Sequence, residues 1–167
     1  NAFEKSIKAR QSSPTFRKVV TYKFKCIKKI YDEGYIPFYL DTDIVVLRDP
    51  FVDIFDGVEK DIYIQNDSHC MRANHNNCTG CMVFFHSEKT TTFLNYLVSD
   101  EASQAMLDDP HSDQKVFNDY VRKHKFKLSL MPLEKYVNGI RWINFRNECG
   151  DPTLLHNNWI RGIEVKN

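Results

Sequence analysis

The 167-residue chain has almost no net charge: 23 Lys and Arg offset 22 Asp and Glu, leaving +1. No overall basic field exists to draw in a nucleic-acid duplex, so nucleic acid is excluded as the leading partner. No run of 18 apolar residues occurs, so no helix of this chain spans a membrane. No internal repeat, low-complexity tract or Gly/Ser/Pro-rich linker divides it, and residues 1–167 read as one domain. Disorder is excluded by an aromatic content of 13% and the small net charge. The five cysteines are too few and too odd in number for a fully paired secreted framework, and they read as reduced thiols. A chain this long buries roughly 70% of its unfolded surface and needs no disulfide staple. It opens at Asn1 in mid-pattern, so it says little about a leader or anchor. Two sequons, Asn66-Asp67-Ser68 and Asn77-Cys78-Thr79, matter only in a secretory lumen. Location is open: reduced cysteines favour the cytoplasm slightly over a Golgi lumen.

Ser13-Pro14 predicts a helix start. Phe16, Val19, Val20, Phe24, Ile27, Ile30 and Tyr31 then recur at helical spacing as far as Gly34. The intervening Arg17, Lys18, Lys23, Lys25, Lys28 and Lys29 read as its solvated face. Apolar runs at 36–40, 44–47, 61–65 and 81–85 predict strands, and 66–79 reads as a loop. Ser87 predicts a helix to about Val98, with Phe93, Leu94 and Leu97 inward. A further helix follows Ser112, with Val116, Phe117, Tyr120 and Val121 on one face. Short strands are expected at 128–131 and 154–155. This alternation predicts an α/β domain whose mostly parallel sheet is flanked by helices. Ligands of such sheets sit beyond the carboxyl ends of the strands. Asp41 and Asp43, Gln65 and Asp67, Thr79 and Gly80, and His156 all fall at that edge.

Asp41-Thr42-Asp43 interrupts two apolar runs. Burying unpaired carboxylates costs several kcal/mol, so a cation is expected beside them. Oxygen ligands favour Mn²⁺ or Mg²⁺, which keep coordination positions open for phosphates.

Leu40-Asp41-Thr42-Asp43-Ile44-Val45-Val46-Leu47-Arg48-Asp49-Pro50 resembles the acidic motif of the nucleotide-diphospho-sugar transferases, glycosyltransferases of GT-A fold. Cys78-Thr79-Gly80-Cys81-Met82-Val83 is similar to that family's Asn-Thr-Gly segment, with Cys78 in place of the Asn. Ser112-Asp113-Gln114-Lys115-Val116-Phe117-Asn118 resembles its Asp-Gln helix start. His156-Asn157-Asn158, Gly162 and Lys166 resemble its C-terminal element. The resemblance implies a Rossmann-related GT-A sheet lacking most of its N-terminal nucleotide-binding unit in this chain. It implies metal ligation by Asp41, Asp43 and His156. Donor binding would fall to Asp41, Thr79, Gly80, Gly162 and Lys166, with Arg161 adding charge. Asp113 and Gln114 would serve catalysis near the sugar and the acceptor. A UDP- or GDP-sugar donor and a carbohydrate or glycoprotein acceptor follow. Two other readings stand beside it: a zinc-stabilised binding module built on His69, Cys70, His75, Cys78 and Cys81, and a catalytically silent scaffold of the same fold.

Overall fold

Residues 13–68, 77–108, 112–126 and 128–158 are described by a computed structural model. Helix α1 spans Pro14–Asp32 and buries Phe24, Ile27 and Tyr31. Val19 and Ile30, expected inward, are exposed, so the buried stripe is narrower than the spacing suggests. The helix ends at Gly34, whose φ of 90° is left-handed backbone that glycine adopts readily.

The apolar run after it splits. Strand β1 is Phe38–Leu40 and β2 is Ile44–Val46, with Asp41-Thr42-Asp43 between them. The short helix α2, Phe51–Ile54, precedes β3, Ile62–Asn66, and β4, Asn77–Phe84. Helix α3, Glu88–Leu97, begins where Ser87 Oγ accepts the Thr90 N–H at 3.1 Å. Helices α4, Asp100–Asp108, and α5, Ser112–Lys123, follow. Next come β5, Ser129–Leu130; β6, Tyr136–Asn138; α6, Gly139–Asn144; a 3₁₀ turn, Arg146–Glu148; and β7, Leu154–His156. Helix α4 went unread because it buries only Ala102 and Met106, too few to mark a period.

Two sheets form. The first has the order β1-β4-β3-β5 and the second β2-β7-β6. Both are mixed, which corrects the mostly parallel sheet expected: β1/β4, β3/β4 and β2/β7 are antiparallel, β3/β5 and β6/β7 parallel. The physical reason is connectivity. No helix is described between β3 and β4, and parallel neighbours need a long crossover. The residues at 41–43 also pass the chain from one sheet to the other.

Alternation in β3 and β4 sorts the core into two. Ile62, Ile64, Met82 and Phe84 pack with α1, α3, α4 and α5 around Phe93, Leu97 and Phe117. Tyr63, Cys81 and Val83 face the other way onto Ile54, Met131, Tyr136 and Leu154. Buried on both faces, these strands read as unbroken apolar runs. The β3/β4 register slips between Ile64 and Gln65: Ile64 opposes Met82, but Gln65 opposes Cys78. Thr79, Gly80 and Cys81 are therefore extra residues opposite one step of β3, a bulge that re-aims the strand.

Burial pushes the Tyr63 and Tyr136 phenols and the Cys81 thiol above their ordinary 10.0 and 9.0. The fold favours their neutral forms. Their contribution is complete below pH 9 and erodes above it, because the unfolded chain ionises first. The urea midpoint is expected to fall between about pH 9 and 11, less steeply in Tyr63→Phe than in wild type. Identical pH dependence in the two proteins would contradict this account.

Candidate active site

Backbone bonds pin the turn at 41–43 from both sheets. Asp41 N donates to Gly80 O at 2.7 Å, Ile44 N to Asp41 O at 3.2 Å, and Asn157 N to Asp43 O at 2.9 Å. Asp41 follows β1 in the first sheet, Asp43 precedes β2 in the second, and His156 ends β7 beside β2. One ligand atom from each of Asp41, Asp43 and His156 lies within 4.8 Å of the others. Gly80 makes this convergence sterically possible. A Cβ there would collide with His156 Cε1 and lie 2.6 Å from Asp41 Oδ2.

The tautomer of His156 follows from its neighbour. Gln65 Nε2 donates to the Tyr136 carbonyl at 3.1 Å, which turns Oε1 toward His156 Nδ1 at 2.8 Å. An amide oxygen only accepts, so Nδ1 carries a proton and Nε2 is the nitrogen turned toward the carboxylates. Nε2 lies 3.2 Å from Asp43 Oδ1, a separation that a proton or a metal ion fills. The donor set of two carboxylates and one oriented imidazole suits a divalent ion.

Tyr39 supports Asp41 by donating its hydroxyl to Oδ1 at 2.7 Å. Burial and the Asp41 carboxylate push this phenol far above its ordinary range, so it remains a donor at any physiological pH. Cys78 Sγ lies 3.5 Å from His156 Nδ1, and burial with Asp67 nearby keeps the thiol protonated.

Beside this group, Asp113 Oδ2 accepts the Thr79 hydroxyl at 2.6 Å and pairs with the Lys23 ammonium. Lys23 also donates to Thr79 O at 3.0 Å. Lys23 was expected on the solvated face of α1, yet it is buried. It falls three residues after Val20 and four before Ile27, on the apolar stripe, so the helical spacing carries the signal. Gln114 Nε2 donates to Asp67 Oδ2 at 3.1 Å, and Asn158 Nδ2 to Asp67 Oδ1 at 2.9 Å. The sequence-predicted residues thus form two groups: Asp41, Asp43, Gly80 and His156, and the Thr79–Asp113 and Gln114–Asp67 contacts. Gly162, Lys166 and Arg161 lie outside the described residues, as do His69, Cys70 and His75. Tyr39 and Lys23 were missed altogether, while Gln65 was placed at the edge without a role.

The zinc reading loses its Cys-x-x-Cys element. Cys78 and Cys81 both stand in strand β4, at the two ends of its bulge. Cys78 meets His156, whereas Cys81 packs into the core against Met131.

The profile of the nucleotide-diphospho-sugar transferase family matches residues 2–167. Among curated proteins, the chain is 24% identical over 172 residues to a UDP-galactose:fucoside alpha-3-galactosyltransferase of Dictyostelium discoideum, covering 90% of this chain and 26% of that protein. It is 28% identical over 163 residues to UDP-D-xylose:L-fucose alpha-1,3-D-xylosyltransferase 3 of Arabidopsis thaliana, covering 82% and 41%. The chain thus spans well under half the length of either relative. No solved structure matches it significantly.

The Gln65 contact predicts the state of the imidazole. In wild type, the ¹⁵N signals of His156 are expected to report a protonated Nδ1. Gln65→Leu is expected to abolish that preference and to cost about 1–3 kcal/mol, since Nδ1 and the Tyr136 carbonyl lose their partner. A variant retaining both the tautomer and wild-type stability would show that the amide does not orient the ring.

Proposed function

Because the chain belongs to the nucleotide-diphospho-sugar transferase family, we propose that it is a metal-dependent glycosyltransferase. It moves a sugar from a nucleotide-diphosphate donor to a hydroxyl of a carbohydrate acceptor. The observation that carries this reading is the meeting of Asp41, Asp43 and His156 around one point. Mn²⁺ or Mg²⁺ is the ion this donor set suits, and when bound it supplies Lewis-acid stabilisation to a departing diphosphate. The names of the two relatives pair UDP-sugars with fucose or a fucoside. We take a UDP-sugar as donor here and a 6-deoxyhexose of the fucose type as acceptor.

In the reaction, the acceptor oxygen forms a bond to the anomeric carbon as the bond from that carbon to the diphosphate oxygen breaks. The electron pair leaves with the nucleoside diphosphate, and the hydroxyl proton passes to that product or to water. Asp43 and His156 would hold the ion from the second sheet, and Asp41 from the first. Tyr39 and Gln65 fix the orientations of Asp41 and His156. Gly80 keeps the space between them clear. Asp113 is engaged by Lys23 and Thr79, so its role in this reading is to position Thr79 beside the donor, not to take the acceptor proton. Gln114 likewise positions Asp67, which ties α5 to the residues after β7. Gly162 and Lys166 keep the donor-binding roles that the family resemblance implies, Lys166 beside the phosphates.

The test is coupled binding. Wild type is expected to bind UDP at least about tenfold more tightly with Mn²⁺ than without, and Mn²⁺ more tightly with UDP by the same factor. Asp43→Asn should remove this coupling and the transfer activity while leaving the fold intact, because Asp43 is exposed and belongs to neither apolar core cluster. Gly80→Ala should do the same by displacing Asp41 or His156. Equal UDP affinity with and without Mn²⁺ in wild type, or full transfer by Asp43→Asn, would defeat the reading.

A further inference from the structure

We propose that the cavity beside β2 and α6 is the acceptor subsite, and that Trp142 receives the apolar face of a 6-deoxyhexopyranoside there. This rests on the glycosyltransferase reading above. The cavity measures about 490 Å³, inside the roughly 300–1,000 Å³ typical of small-molecule sites. Asp43 and His156 line it as well as the ion site. A ring held in it therefore lies next to the point where a donor diphosphate would be anchored.

Its walls have the chemistry of a sugar site. Val45, Ile143 and Leu155 line it together with the Trp142 indole. Val45 is 55% exposed and Ile143 60%, so neither is committed to the core. Arg146 lies over the Trp142 ring at 4.6 Å, which fixes the indole from outside the lining. A pyranose presents C–H groups on one face that pack on an aromatic ring, and a 6-deoxy sugar adds a methyl group for the aliphatic walls. Its hydroxyls need partners of the other kind, and Thr42, Asn157 and the Asp43 carboxylate supply them at the same cavity.

Charge separates this occupant from the donor. Among the described residues lining the cavity there is no Lys or Arg, and Asp43 contributes an anion. These residues offer a diphosphate no cationic side chain, whereas a neutral polyol donates hydrogen bonds to the carboxylate. The aliphatic residues around the indole also suit a saturated ring better than the polar edge of a nucleobase.

The experiment uses methyl α-L-fucopyranoside and UDP as probes on the full chain with Mn²⁺. Trp142→Ala and the exposed-site variant Ile143→Asn are each expected to weaken fucoside binding about tenfold, with UDP–Mn²⁺ affinity held within about twofold. Trp142→Phe should restore most of the loss, because an aromatic face remains. Absence of fucoside binding to wild type, or unchanged fucoside binding in both variants, overturns the assignment. A fall in UDP affinity with fucoside binding unchanged gives the cavity to the nucleoside and overturns it too. Failure of wild type to bind UDP with Mn²⁺ removes the glycosyltransferase reading and this inference with it. Transfer to the fucoside with neither variant affected removes only the location.

Discussion

An imidazole and a carboxylate can face each other at this sheet edge only because position 80 has no side chain. Any Cβ on Gly80 would occupy the space that His156 Cε1 and Asp41 Oδ2 now fill. The constraint reaches outward. Gly80 lies in the β4 bulge, and its carbonyl accepts the Asp41 amide at 2.7 Å, so the same residue anchors the turn and clears the room. Glycine is used here for close approach and not for an unusual dihedral angle.

Around that point, each polar group is held by a neighbour on a different element. Asp41 is fixed by Tyr39 of β1, His156 by Gln65 of β3, and Thr79 by Asp113 of α5 and Lys23 of α1. Lys23 and Asp113 form a largely buried ion pair, which breaks expensively if one partner is removed. Its worth is therefore geometric. It ties α1 and α5 to the strand that carries Gly80, and leaves the edge with preset orientations before any ligand arrives.

The strands and helices with strong apolar periodicity were legible in the sequence: α1, β3, the core half of β4, α3 and α5. The three residues that meet at the sheet edge were marked as well, because Asp41-Thr42-Asp43 interrupts an apolar run and His156 follows one. Sheet direction was not legible. Short apolar runs buried on both faces look alike in parallel and antiparallel pairings, and the polar break at 41–43 does not say that the chain changes sheet there. Lys23 was misread because a lysine among five other basic residues of α1 looks solvated unless its place on the helical stripe is weighed. Tyr39 and Gln65 stayed silent for different reasons: Tyr39 reaches Asp41 only two residues on, but a tyrosine in an apolar strand reads as a core residue, whereas Gln65 bonds to Tyr136 and His156, which lie 71 and 91 residues away.

The second sheet joins segments far apart along the chain. Residues 44–46 pair with 154–156, and 136–138 with 154–156, so β7 completes the sheet only after roughly 110 residues have been ordered. β7 is the central strand of that sheet, held by β2 on one side and β6 on the other. His156 is the last residue of β7. It stands against Asp43 only while β7 is in register with β2, so a loosening of the second sheet would disperse the three candidate ligands without touching the separate core around Phe93 and Phe117.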